Sequence, residues 1–355
     1  MKKCLLILTT VLCFNSTYSQ VLYSENFDNL SIGNLGTDPN GVIPGQGGWL
    51  TTTGSNAVPN NNYFTITNEQ SKGKVLTLTT LVNSSLVVVN PGIDTFINQR
   101  NNGYNVIKFE IDYYTGTEYY MNGSTGSPPY NYIHLRSKAG SLFSYYHMIL
   151  SQAGYISASY HNGKSETNSG KLSNNPWGDP LPVDSWVTFI VYMDYTNKKI
   201  YFETPHFGTV VSGDFLSQST SVNLIEDFKP TEISLRTNPH TISNVQQVVH
   251  KYDNIKITAL KSVPPEIINL SANQQLAAKF NIYPNPATNV VNITNAENMQ
   301  VQQVAIYDIA GKLLSTQSFN NQTEVQLKVE NLASGTYLLH LKTEEGTAVK
   351  KLVKK

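Results

Sequence analysis

The chain has 355 residues, a formal net charge of +0 and only 14% charged residues, so no basic stripe offers itself to nucleic acid and no charged block reads as a tail. Glycine, asparagine, serine, threonine and 21 tyrosines favour short strands and turns over helices. The length suits two domains better than one.

Residues 1–19 read as a secretory signal peptide. Lys2 and Lys3 start it, Leu5 to Phe14 is a short apolar run, and Thr17 and Ser19 are small residues ahead of Gln20. The run is too short for a stable membrane anchor, and no other stretch reaches the roughly 18 apolar residues a spanning helix needs. Cys4 and Cys13 both lie inside it, so the mature chain has no cysteine for a disulfide, a thiolate nucleophile or a metal site. A lipidated Cys13 would need a small residue just before it, and Thr10-Val11-Leu12 supplies none.

From residue 21 to about 260 strand follows strand. Val75–Thr79, Ile107–Tyr113 and Tyr132–Arg136 alternate apolar with polar. Val187–Met193 and Lys199–Phe202 flank the polar turn Asp194-Tyr195-Thr196-Asn197 and read as a hairpin. Asp253–Thr258 is the last strand of this set. Many short strands with Gly, Asn and Pro turns predict a β-sandwich or jelly roll over 21–260. Residues 261–279 change character: Pro264-Pro265 breaks strand pairing, and Ser271 to Gln275 is small and polar, so the segment reads as a floppy linker. From 280 to 355 the β pattern resumes at Val290–Ile293, Gln303–Asp308, Val325–Val329, Thr336–Leu341 and Val349–Val353. The fold class predicted is all-β: a large jelly-roll sandwich and a small Ig-like one.

Four motifs in the second segment occur in order. Tyr283-Pro284-Asn285-Pro286 opens it, Ile306-Tyr307-Asp308 leads into Gly311-Lys312, Leu332-Ala333-Ser334-Gly335-Thr336-Tyr337 follows, and Lys350-Lys351-Leu352-Val353-Lys354-Lys355 ends the set. Together they resemble the type A C-terminal sorting domain of the Bacteroidetes type IX secretion system. The resemblance implies recognition by that machinery and a secreted or outer-surface protein. In physical terms each proline fixes φ and holds Tyr283 and Asn285 extended, while Gly311 and Gly335 permit turns.

Glu25-Asn26-Phe27-Asp28 with Gly45 to Trp49, the spacing Trp186 to Asp194, and Lys251 to Ile257 resemble concanavalin-like jelly rolls of secreted bacterial proteins. That class includes binding modules, adhesins and polysaccharide-cleaving enzymes, so fold leaves function open. Sugar recognition asks for flat aromatics and planar polar groups, which Trp177, Tyr145, Tyr114 and Arg236 could furnish. The competing reading is a polysaccharide lyase, with Tyr132, His134, Arg136 and His147 as proton-transfer and charge-neutralising groups. A glycoside hydrolase would use Glu110 and Asp112, but Thr115 stands where the second acid belongs and Glu118 is too far along. An adhesive surface component without sugar affinity is a third reading. Structural calcium, held by Glu25 or Asp28 with Asp253, is the one cofactor that the jelly-roll resemblance suggests.

Overall fold

Strands that alternate apolar with polar need an apolar layer to face, and here two sheets supply it to each other. The structure, a computed structural model, describes residues 19–54, 58–81, 84–116, 130–150, 153–164, 168–171, 181–182, 184–219, 224–238, 247–295, 297–308 and 311–355. Residues 1–18, Glu118, Trp177 and the side chain of His147 lie outside the described set.

The N-terminal sandwich contains, in chain order, β1 (Ser19–Glu25), β2 (Gly33–Asn34), β3 (Leu50–Thr53), β4 (Phe64–Glu69), β5 (Gly73–Leu81), β6 (Leu86–Pro91), the short helix α1 (Ile93–Ile97), β7 (Val106–Tyr114) and β8 (Tyr130–Ser137). It continues with β9 (Gly140–Leu150), β10 (Ala153–Tyr160), β11 (Asn168–Lys171), β12 (Trp186–Asp194), β13 (Lys199–Thr204), β14 (Thr209–Gly213), the one-turn α2 (Leu224–Asp227), β15 (Glu232–Asn238) and β16 (Gln247–Leu260). One sheet runs β14-β13-β12-β7-β16-β5-β4-β2, with β1 added on β16; the other runs β11-β10-β9-β8-β15-β6-β3. Strands β5, β6, β7 and β8 pass alternately between the sheets, and all pairings are antiparallel, as in a jelly roll.

Strand β7 shows why the sheets close. Ile107, Phe109, Ile111 and Tyr113 point inward and are buried, while Lys108, Glu110 and Asp112 point outward. The inward layer meets Phe143, Tyr145, Phe189 and Phe202, and near the other end Phe27 packs on Trp49 at 5.8 Å. The predicted hairpin forms as β12–β13. Asp194 holds its turn by accepting from the backbone N–H groups of Thr196 and Asn197 at 3.0 and 2.9 Å.

The segment read as a floppy linker is instead the helix α3 (Pro265–Ala278). Pro265 sits at its first turn, where a missing N–H costs nothing, and Glu266 complements the dipole. Its polar face hid it from an apolar-period search. Val263 and Ile267 cover Val106, Ile190, Tyr192, Tyr201 and Val210 on the outer face of β7 and β12–β14. Ser271 and Gln275 donate to the Ser212 hydroxyl at 2.6 and 2.7 Å. At the other end Leu276 and Ala277 belong to the second core.

That second core lies in a small sandwich of β17 (Phe280–Tyr283), β18 (Val290–Asn295), β19 (Val301–Asp308), β20 (Leu313–Gln322), β21 (Val325–Lys328), β22 (Gly335–Thr343) and β23 (Gly346–Lys354). A β17-β18-β21 sheet faces a β20-β19-β22-β23 sheet across Phe280, Val291, Ile293, Val304, Ile306, Leu339, Leu341 and Leu352.

Candidate functional site

The outer face of β8 and β15 gathers polar groups that the sequence scatters. Directly paired residues in antiparallel strands share a face. Tyr132 pairs with Arg236, His134 with Ser234, and Arg136 with Glu232. On the other flank His134 pairs with Ser144 of β9. The rings of Tyr132 and His134 lie parallel within 6°, with centroids 5.6 Å apart. The Tyr132 hydroxyl accepts from Asn238 Nδ2 at 2.8 Å, and His134 Nδ1 sits 2.7 Å from Ser144 Oγ.

Partial burial, reinforced by the Arg136 and Arg236 charges, pulls the His134 pKa down to about 4. The imidazole is therefore neutral at neutral pH. Arg136 pairs with Glu232 at 2.9 Å, whereas Arg236 is exposed and has no carboxylate partner among the described residues. This face can present a guanidinium beside a neutral imidazole and a phenol to an incoming anion.

Of the other ligand-binding candidates, Tyr145 and Tyr114 do not join it, and Trp177 lies outside the described residues. Tyr145 is a core residue: its ring stacks on Phe189 at 4.8 Å, and burial raises its hydroxyl pKa far above the ordinary range. The expectation that Tyr145 faces a ligand is thus corrected. Tyr114 lies on the outer face of the opposite sheet, bonded to Asp184 and covered by the Lys251 ammonium at 4.7 Å. The backbone of His147 pairs with Asn131 rather than with Tyr132 or His134. Glu110 and Asp112 are spent in ion pairs on that opposite sheet. Lys108 reaches Glu110 at 2.7 Å, and Asp112 takes Lys72 at 2.5 Å with Thr188 and Asn254.

The calcium expectation also meets a geometry that does not suit it. Glu25 accepts the Phe27 N–H, and Asp28 accepts the Lys74 N–H and the Asn26 amide. Among the described residues no group of three or more His, Cys, Asp or Glu could hold a metal ion. Asp253 is buried with Oδ1 unpartnered. Desolvation raises its pKa from 3.8 to about 6, against the pull of the Asn254 N–H and the Lys72 charge and with the push of Asp112 and Asp28. The folded chain then holds a proton that the unfolded chain releases in this window. Stability from this group is full below about pH 4 and is lost as pH rises through about 6. Asp253→Asn is expected to raise the thermal midpoint at neutral pH and to flatten its fall between those values. Melting curves across the range check this; an unchanged slope in the variant would refute it.

In the second sandwich the Tyr283-Pro284-Asn285-Pro286 segment runs beside β23. Neither proline has an N–H to give. The Asn285 carboxamide takes over: Nδ2 donates to Lys351 O at 2.9 Å and Oδ1 accepts from Val353 N at 2.8 Å. Ala287 completes the contact, its N–H donating to Val353 O at 2.8 Å and its carbonyl accepting from Lys355 N at 2.9 Å. Residues 281–355 match the family model of the secretion system C-terminal sorting domain. This segment is a sorting domain.

Such domains mark proteins exported by the type IX secretion system to the cell surface or the medium, and no helix among the described residues is long and apolar enough to cross a membrane. In the sorting domain, Asp308 and Gly311 form a turn: Gly311 adopts φ +81°, and Asp308 Oδ1 accepts the Lys312 N–H at 2.9 Å. Tyr337 is buried and donates to Ala333 O at 2.8 Å. Gly335 differs from expectation, since it opens β22 without a left-handed backbone.

No curated protein matches the chain. Among solved structures, the CBM2 module of the evolved Dit of Lactobacillus casei BL23 phage J-1 is 9% identical, with a TM-score of 0.38 over 69% of this chain and 98% of its own. The alginate lyase of Klebsiella pneumoniae is 10% identical, with a TM-score of 0.36 over 56% of this chain and 85% of its own. Winged bean acidic lectin complexed with methyl-α-D-galactose is 12% identical, with a TM-score of 0.35 over 68% and 98%.

Sequence reasoning missed Ser144, Asn238 and Glu232. Their roles come from strand pairing, and a lone serine or asparagine gives no signal of which strand lies beside it.

Proposed function

We propose that this exported chain binds acidic polysaccharide on the outer face of β8 and β15, with residues 1–19 as its leader, 21–260 as the cargo and 280–355 as the sorting domain. The observation that carries the reading is Arg236, an exposed guanidinium beside the Tyr132–His134 pair. A pyranose can lie on the phenol while its carboxylate meets the arginine, a charge-assisted contact.

A second reading, a lyase on the same face, draws on His134 being neutral, as a general base must be, and lying beside the Tyr132 phenol. Calorimetric titration of the full chain with alginate, polygalacturonate and a neutral glucan tests the first. Binding of the two acidic polymers alone is expected, and Arg236→Ala should weaken it by about tenfold. Equal binding of the neutral glucan refutes the acidic preference; no binding at all refutes the reading outright and leaves an adhesive component without sugar affinity. Ultraviolet absorbance from unsaturated uronates, lost in His134→Ala, would establish the lyase instead.

A further inference from the structure

We infer that the free edge of β20 in the sorting domain, with the groove beside it, is a docking seam for an extended, uncharged strand contributed by the export machinery. The inference rests on the sorting domain and not on the glycan reading.

The two edges of the β20-β19-β22-β23 sheet are treated differently. Strand β23 is closed. Asn285 and Ala287 bond to it, Lys350 Nζ donates to Ala277 O at the end of α3, and Lys350, Lys351 and Lys354 place charge along it. These are the devices that keep an edge from pairing with strangers.

Strand β20 has neither the capping bonds nor the charges, and its pairing with β19 carries two register shifts. Its ten residues, Leu-Leu-Ser-Thr-Gln-Ser-Phe-Asn-Asn-Gln, include no charge and no proline, and all but Phe319 are exposed. Its one paired neighbour among the described residues is β19. Leu313 and Leu314 are among the large apolar side chains left in water.

The seam has depth as well as an edge. Ser315 pairs with Ile306 and Gln317 with Val304, so two polar side chains share the face of two core residues. They leave the space between the sheets unfilled. A groove of about 580 Å³ opens there, lined by Ile306, Leu327 and Tyr337 together with Ser315, Gln317 and Lys328. A strand laid along β20 would find main-chain donors and acceptors on one side and a groove of mixed polar and apolar lining beneath. Apolar residues two positions apart, about 6.8 Å along the strand, would both enter it.

The same geometry disfavours a second copy of this chain. Its β20 would bring Ser315 and Gln317 again, and those leave the apolar part of the groove, at Ile306, Leu327 and Leu332, uncovered. An independent strand with apolar residues at alternate positions can cover it. The domain's role in export makes the secretion machinery the source of that strand.

The test uses the full chain in a host that carries the type IX system. Ser315→Lys with Gln317→Lys places two cations in the groove and should leave the melting curve intact. Protein in the medium and on the surface should fall about tenfold, with accumulation inside the outer membrane. Val349→Lys, on the closed edge, should export normally. If the double variant fails to fold, Thr316→Arg, at an exposed site of the same strand, is expected to give the same loss. Normal export of a folded β20 variant overturns the inference. So does a wild-type dimer in gel filtration that the same substitutions dissociate, because the seam would then serve self-association.

Discussion

Tyr145→Ala is expected to lower the unfolding free energy of the jelly roll by about 3–5 kcal/mol. The ring stacks on Phe189 at 4.8 Å and meets Phe143 and Phe202 edge-on at 5.9 and 5.4 Å. Truncation would leave a cavity at the centre of the aromatic layer. It would also remove the donor to Ile190 O, 3.2 Å away. Tyr145→Phe keeps the packing and should cost only about 1 kcal/mol, the usual net worth of one hydrogen bond. Denaturant titration of the two variants separates the terms. A Tyr145→Ala midpoint within error of wild type would place this residue on the surface after all.

Asn285→Ala is expected to cost the sorting domain about 2 kcal/mol, because two main-chain groups of β23 lose their partner at about 1 kcal/mol each. The loss weighs heavily here. A domain of 75 residues, 281 to 355 inclusive, has a total stability on the order of 4–11 kcal/mol. Asn285→Asp distinguishes the two bonds: a carboxylate still accepts from Val353 N but cannot donate to Lys351 O, so it should recover at most half of the loss. The measurements are the thermal midpoint of the full chain and the exported fraction in a type IX host. If both stay at wild-type values, the carboxamide is dispensable and the motif's worth lies in its prolines alone.

These two residues also mark where the sequence could be read and where it could not. The alternation of β7, the Trp186–Asp194 hairpin and the Y-P-N-P opening announce themselves, because period, turn chemistry and proline act within a few residues. Tyr145 defeats the same logic. Alternation divides β9 into two faces but does not say which is inside. The partner strands decide that, setting Ser144 beside His134 and Tyr145 beside Ile133. Strand β20 was invisible for a related reason: with Ser315 and Gln317 where apolar residues belong, it has no alternation to detect. Glu25, Asp28 and Asp253 show the limit for metal sites, since each carboxylate's own hydrogen bonds were unknown until the chain was folded.

The helix between the two sandwiches belongs to both. Val263 and Ile267 roof the tyrosines of one, and Leu276 and Ala277 plug the other. A recombinant fragment stopped at Leu260 would therefore be born with a bald, adhesive spot over Tyr192 and Tyr201, and would clump for reasons unrelated to any ligand. One carried through Ala278 would bring its own lid, and is the piece to express.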